Sequence, residues 1–340
     1  MAILRAARLA GETCQPRASM RALAATLRAS ASPSTSSRLH LESWDRLRVV
    51  AALDTVFMHF TGDHAFFGWG LPLFLLLSVA LGVSKPQAPS TARFLERRIP
   101  RILLPWAFWA VVFVGLRALS CWMSGLPPFG WLEPSMLFYG PRIHLWFLPF
   151  ILVAGLAAHA AHRAVGTSKI APVVALGLAG LAVLLAPAFG VSEWPYAQWI
   201  FSLPAIPLGF VLGRALAFER SLPRLRLLLA TLLLAFVGLG VIAWGVDEGS
   251  GVYAFRHAGG FGLLALATWL PNRADPYTRR LTPLMLGVYI LHPAVYGWIV
   301  KPAMCLVEVN DVRWLRVALA FPATMLLVWV LRKTWLKRFL

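Results

Sequence analysis

Acidic residues are scarce in this chain. Only 14 of its 340 residues are Asp or Glu, and charged residues of both signs make up 14%, against about a quarter in an average soluble protein. That shortage excludes a soluble globular enzyme. There are only three cysteines, and Cys14, Cys121 and Cys305 stand far apart without metal-ligand spacing, so neither a disulfide framework nor a zinc site is indicated. What fills the chain instead is apolar: 59% hydrophobic residues, with 21 Phe and 15 Trp. Apolar runs of about 18 to 22 residues recur along most of the length, as a bilayer requires of spanning helices. The sequence therefore predicts an all-α polytopic membrane protein whose first partner is the lipid bilayer. The formal net charge of +18 does not point to nucleic acid, because the basic residues lie between the apolar runs, where membrane orientation explains them.

Residues 1–40 differ in composition from the rest. They are rich in Arg, Ala and Ser, include Ser34-Thr35-Ser36-Ser37 and contain a single acid, Glu12. This reads as a basic disordered tail, although an organellar transit peptide has a similar make-up. From residue 41 to 340 the pattern predicts one membrane domain of about ten transmembrane helices, centred near residues 54, 76, 112, 152, 179, 208, 235, 261, 290 and 323. The charges agree with that count. Lys85, Arg93, Arg97, Arg98 and Arg101 fall between segments two and three, Arg163 and Lys169 between four and five, and Arg214, Arg220, Arg224 and Arg226 between six and seven. Arg273, Arg279 and Arg280 follow between eight and nine, and Arg332, Lys333, Lys337 and Arg338 close the chain. With the eight basic residues up to Arg48, this places 26 of the 32 on one face. By the positive-inside rule that face is cytoplasmic, so both termini are expected inside.

Ionisable groups inside a membrane are costly and mark candidate sites. The first segment holds the densest set. Arg48, Ala52, Thr55 and His59 follow i, i+4, i+7, i+11 on one helix face, with small residues between the two ionisable ones that predict an open stripe. Arg48 and His59 are then about 16 Å apart along the axis, so a single extended molecule can reach both. Histidine is the natural general base near neutral pH; a structural histidine bonded to a neighbouring helix is the plain alternative. Asp63, one turn beyond, is placed to orient the imidazole, whereas Asp54 points elsewhere and needs a partner on another helix. The run Arg93 to Arg101 leads into segment three. Its arginines suit membrane anchoring, but Arg98 and Arg101, at i, i+3 near a helix start, also suit a phosphate-bearing cofactor. Lesser candidates are His159 and His162, read as a solvated helix end rather than a metal site. Arg117, Arg256 and His257 lie near outer helix ends, where snorkelling explains the arginines and acceptor binding is the alternative for Arg256 and His257. Cys121 and Cys305 fall on the same outer side, which leaves a pairing open.

Several short motifs then occur in order: Asp45-x-x-Arg48 with His59 eleven positions after Arg48, Gly70-Leu71-Pro72-Leu73-Phe74-x-x-x-Ser78, Arg98-x-x-Arg101 followed by Pro105, His144-Leu145-Trp146-Phe147-Leu148, and Tyr289-Ile290-Leu291-His292-Pro293. Together, over about residues 41 to 335, they resemble the membrane acyltransferase-3 family, integral-membrane O-acyltransferases that modify bacterial glycans, lipids and some secondary metabolites. The resemblance implies that His59 is the catalytic base with Arg48 as its companion, and that Arg98 and Arg101 handle the acyl donor. Asp45, Asp63, Ser78, Trp146 and His292 are further candidate positions. One departure stands out: Ser78-Val79-Ala80 replaces the family's Ser-Gly-Phe, and a valine there is expected to alter helix packing near the donor path. No extra hydrolase-like domain is recognised after the membrane region.

The reading is a membrane O-acyltransferase that moves an acyl group, acetyl being favoured, from cytoplasmic acyl-CoA to a hydroxyl of a glycan, glycolipid or other glycosylated acceptor. Acyl-CoA is the co-substrate, with no tightly bound cofactor and no metal expected. Direct transfer and a ping-pong route through the protein are both open, and a bacterial inner membrane is the expected location. A transporter or flippase of a polar or glycosylated substrate, and a catalytically inactive scaffold, are the alternatives. No internal repeat or paired broken helices support the former, and the intact Arg48, His59, Arg98 and Arg101 oppose the latter.

Overall fold

The structure, a computed structural model, describes residues 42–61, 68–186, 196–218, 221–270, 275–306 and 313–340. Among the described residues all regular structure is helical. The longer helices are α1 (Glu42–Thr61), α2 (Gly70–Val83), α3 (Thr91–Met123), α4 (Phe147–Val165), α5 (Ala171–Leu185), α6 (Ala205–Phe218), α7 (Leu222–Val246), α8 (Glu248–Ala267), α9 (Met285–Val295) and α10 (Arg313–Leu331). The expected tail, residues 1–40, and Asp63 lie outside the described residues.

A helix occupies each expected segment centre, but the expected count of ten spanning helices is not confirmed among the described residues. Among the described residues six helical stretches are long and apolar enough to cross a membrane: Thr91–Met123, His144–Val165, Tyr196–Phe218, Leu222–Val246, Pro276–Leu306 and Arg313–Leu331. The others fall short for physical reasons. With 14 and 15 residues, α2 and α5 rise only about 21 to 23 Å at 1.5 Å per residue, less than the roughly 30 Å of a hydrocarbon core. Five ionisable side chains between Glu42 and Asp54 lower the apolarity of α1, and glycines with Arg256 and His257 do the same for α8. Exposed Val111 on α3, Leu178 on α5 and Leu234 on α7 suit a lipid-facing surface, since apolar exposure of this extent marks an interaction surface.

The longest helix, α3, starts where the Ser90 side chain accepts from the Arg93 N–H at 3.3 Å, a standard N-cap. Its 33 residues span about 50 Å, well beyond the apolar zone, so its first turns carry Arg93 to Arg101 out of that zone. At its other side Trp109 donates to the Phe339 carbonyl at 2.8 Å and Phe108 stacks on Phe339, which ties the chain's C-terminal turn to α3. A single residue, Asp247, joins α7 to α8. They lie close because Gly240 faces the Phe255 ring and Gly251 faces Trp244, where an added Cβ would come within 2.9 and 2.8 Å.

Almost all of α2 is buried, and α6 packs tightly along it. Gly209 and Gly213, four residues apart on α6, face Val79 and Val83 of α2, the small-xxx-small arrangement that lets helix backbones approach in a membrane. A Cβ on Gly209 would stand 2.7 Å from the Val79 Cβ. The expected disturbance from Val79 is thus absorbed on the neighbouring helix. Its side chain enters the space Gly209 leaves, is 1% exposed, and does not line the pocket on the other side of α2.

Candidate functional site

Where α2 is not buried by α6 it presents Phe74, Ser78 and Gly82, spaced i, i+4, i+8 and therefore in one stripe. Phe74 and Ser78 line a cavity of about 230 Å³ together with Arg48 of α1, Arg98, Arg101 and Ile102 of α3, Phe147, Leu148 and Ile151 of α4, and Thr282, Met285, Leu286 and Tyr289. Gly82 lets a guanidinium come in close: a Cβ there would lie 3.1 Å from Arg98 Nη2. Phe94 holds the same guanidinium from below, with Arg98 Cζ 5.4 Å from its ring centroid, a cation–π contact.

Three guanidinium groups line this small cavity. Arg48 pairs with Asp45 at 2.9 Å. Asp45 is therefore the counter-charge of Arg48, one turn away on the same helix. Neither Arg98 nor Arg101 forms an ion pair among the described residues. The start of α1 is held in place at this basic end by Thr282 Oγ1 donating to the Asp45 carbonyl at 3.3 Å and by Arg279 meeting Glu42 at 3.4 Å. Asp275 begins the short helix Pro276–Leu281, accepting from the Thr278 hydroxyl at 2.8 Å and the Tyr277 N–H at 3.0 Å, with Arg46 at 3.9 Å. The Thr278 hydroxyl, the Tyr277 N–H and the Arg46 charge hold its carboxyl below the ordinary aspartate range.

His59 is not in this cavity. The stripe from Arg48 to His59 is not open either: Ala52 is 1% and Thr55 3% exposed, with Thr55 Oγ1 donating to the Ala51 carbonyl at 2.9 Å. Helical periodicity puts these residues on one face, but that face is covered by neighbouring helices. His59, itself exposed, instead joins a second cluster of three imidazoles. Its ring centroid lies 5.2 Å from that of His292, and His292 lies 5.5 Å from His144. His144 comes from the 3₁₀ turn Ile143–Trp146, which Gly140 admits with a φ of +84°, a conformation that favours glycine. The edge of Phe60 closes one side of His292.

Tyr289 belongs to both places. Its ring lines the arginine cavity, its hydroxyl donates to the His144 carbonyl at 2.5 Å, and its carbonyl accepts from His292 Nδ1 at 2.9 Å. Among the residues singled out from sequence, Arg48, Ser78, Arg98 and Arg101 come together in the cavity with Asp45 beside them. His59 and His292 come together beyond Tyr289, whose ring lies 6.2 Å from that of His292. Trp146 does not line the cavity. It is buried against Phe147 and Phe150 and supports the wall one residue behind. His144 and Tyr289 were quoted in motifs without a role, and only the three-dimensional arrangement gives them one.

Other expectations change. His159 and His162 are not a solvated helix end. His159 is fully buried and stacks on Phe94 at 4.3 Å, and His162 Nε2 donates to the Lys85 carbonyl at 2.9 Å. Asp54 does find its partners on other helices: it accepts from Gly70 N at 2.7 Å and Gly68 N at 3.1 Å at the start of α2, and the Arg256 charge of α8 acts on it. Arg256 does not snorkel outward but lies against Gly68, where an added Cβ would approach its Nε to 2.9 Å. His257 is fully buried and bonded to the Tyr253 carbonyl at 2.8 Å, which leaves it no access to an acceptor. Arg117 stacks over Trp131 at 4.2 Å. Cys121 and Cys305 are both free. Among the described residues no three His, Cys, Asp or Glu side chains are grouped to hold a metal ion.

A family model described as an acyltransferase domain, of the acyltransferase-3 type, matches residues 41–333. The chain belongs to this acyltransferase family. The match spans both clusters and every helix from α1 to α10. No curated protein and no solved structure matches the chain. Family and helices together make this an integral membrane acyltransferase.

Proposed function

We propose that this acyltransferase takes an acyl group, acetyl being favoured, from acyl-CoA at the cytoplasmic face and transfers it to a hydroxyl of a glycan, glycolipid or other glycosylated acceptor. The observation that carries the reading is the meeting of Arg48, Arg98 and Arg101 around one cavity with a single carboxylate, Asp45, among them. Uncompensated guanidinium groups attract a polyanion, and they grip phosphate oxygens bidentately. The cavity is smaller than the roughly 300–1,000 Å³ that encloses a drug-sized ligand, so it suits the pantetheine arm, with the coenzyme phosphates at the arginines and the nucleotide outside. Both chain termini lie on the side of these arginines, in a bacterial inner membrane.

In this reading the arm runs inward past Ser78 and Phe74 to Tyr289, and the thioester is presented beyond it. His59 takes the proton from the acceptor hydroxyl as that oxygen attacks the acyl carbon. The carbon–sulfur bond breaks, and the coenzyme thiolate leaves with the proton that His59 returns. General-base help of this kind is typically worth about 100- to 10,000-fold.

The test is acyl-CoA binding and acceptor-dependent CoA release by the detergent-purified protein, comparing acetyl-CoA with longer donors. Saturable acetyl-CoA binding that weakens about 100-fold in Arg98→Ala/Arg101→Ala supports the donor site, since charge-assisted hydrogen bonds contribute about 1.5–3 kcal/mol each. Folded wild-type protein that binds no acyl-CoA overturns it. Transport of a glycosylated substrate with no CoA released favours a transporter instead.

A further inference from the structure

Two buried imidazoles flank the reading above with one nitrogen each to spare. His292 Nδ1 lies 2.9 Å from the Tyr289 carbonyl and 3.1 Å from the Val288 carbonyl. Carbonyls only accept, so this nitrogen carries the hydrogen, and in a neutral imidazole the other nitrogen is then a bare acceptor. The same logic fixes His144, whose Nε2 donates to the Ile290 carbonyl at 2.8 Å and whose Nδ1 is left bare. Both bare nitrogens, His292 Nε2 and His144 Nδ1, are buried without a hydrogen-bond partner. A buried acceptor without a partner is rare enough to need a reason. Here both belong to fully buried rings, on two separate elements, that meet at the position next to His59.

We propose that His292 is the positioning residue of His59: its bare Nε2 accepts the N–H of the His59 ring. The inference rests on the acyl-transfer reading. The ring centroids are 5.2 Å apart, and a nitrogen-to-nitrogen hydrogen bond of about 3 Å fits that spacing once the two nitrogens face each other. Bonds of this kind are often long in unliganded enzymes and tighten in the complex. The bond leaves the other His59 nitrogen unprotonated and facing the acceptor, the function that a buried carboxylate performs for histidine in a serine hydrolase. When His59 takes the hydroxyl proton, His292 Nε2 shares the new positive charge. The Tyr289 and Val288 carbonyls hold the His292 ring so that Nε2, and not Nδ1, is the face on offer. His144 sits on the far side of His292 as a second neutral ring, so His59, His144 and Tyr289 are the titratable rings in contact with His292.

The experiment compares His292→Phe and His292→Gln in the purified protein, measuring acyl-CoA binding, KM and kcat for acyl transfer. Phe fills the ring's space without an acceptor, whereas Gln supplies an acceptor oxygen with a poorer fit. The expected result is acyl-CoA binding unchanged in both, kcat down about 100-fold in His292→Phe with KM within about twofold, and at least tenfold of that recovered in His292→Gln. A Phe variant as active as the Gln variant or more so, or one that loses donor binding as well, overturns the proposal by making the ring structural. His59→Ala, measured alongside, separates the two levels: normal turnover in that variant removes the acyl-transfer assignment of His59, while lost turnover there with equal Phe and Gln variants removes only the role of His292.

Discussion

The two ends of α1 carry the two halves of the site and are built by opposite means. At the Arg48 end, charges are plentiful and partly exposed: Asp45 pairs with Arg48, Arg46 with Asp275 and Glu42 with Arg279 at the start of α1. At the His59 end the described ring neighbours include Phe60, His144, His292 and Tyr296, and the two buried histidines are bonded to backbone carbonyls. Water and salt screen the first kind of interaction and leave the second largely untouched. In the proposed reading this difference is a division of labour, with an anion captured where charges are partly exposed and a proton handled where hydrogen bonds fix the tautomer.

Three variants test that division, in decreasing order of expected effect. His59→Ala should lower turnover about 1,000-fold while acyl-CoA affinity, read by equilibrium binding, stays as in wild type; affinity falling with turnover would mean that the two ends are one unit. Asp54→Ala should act on both ends alike. Asp54 holds the backbone N–H groups of Gly68 and Gly70, so its loss frees the start of α2 from α1, at a cost of about 2–3 kcal/mol for charged hydrogen bonds. The check is the thermal unfolding midpoint in detergent, with donor binding and turnover dropping together. The smallest effect belongs to Asp275→Asn. Because the Asp275 carboxyl is held below its usual range, its contribution is complete above the unfolded value of about 3.9 and is lost as pH falls through the folded one. The wild type and the variant should therefore differ in unfolding midpoint at pH 7, and the difference should shrink only as the pH falls through the lowered folded value.

Helix positions and the arginine cluster were legible in the sequence because apolar runs and basic loops are local patterns. The partners were not. Periodicity placed Ala52 and Thr55 between Arg48 and His59 on one face, but cannot say that other helices cover that face. His144 sits in a 3₁₀ turn with no periodic signal, and Asp54 pairs with backbone N–H groups that no side-chain pattern records. The count of ten spanning helices is not confirmed because α2, buried among longer neighbours, and α5, short but largely exposed, do not reach bilayer length among the described residues.

The seam between α2 and α6 bears on how departures from a family pattern are interpreted. Val79 departs from the pattern the resemblance led one to expect, and Gly209 is the hollow that receives it. Bulk on one helix answers absence on the other, so the pair, and not either residue alone, is the unit that packs. A larger residue at position 209 with Val79 left in place should wedge the two helices apart, and a glycine at position 79 should make room for it.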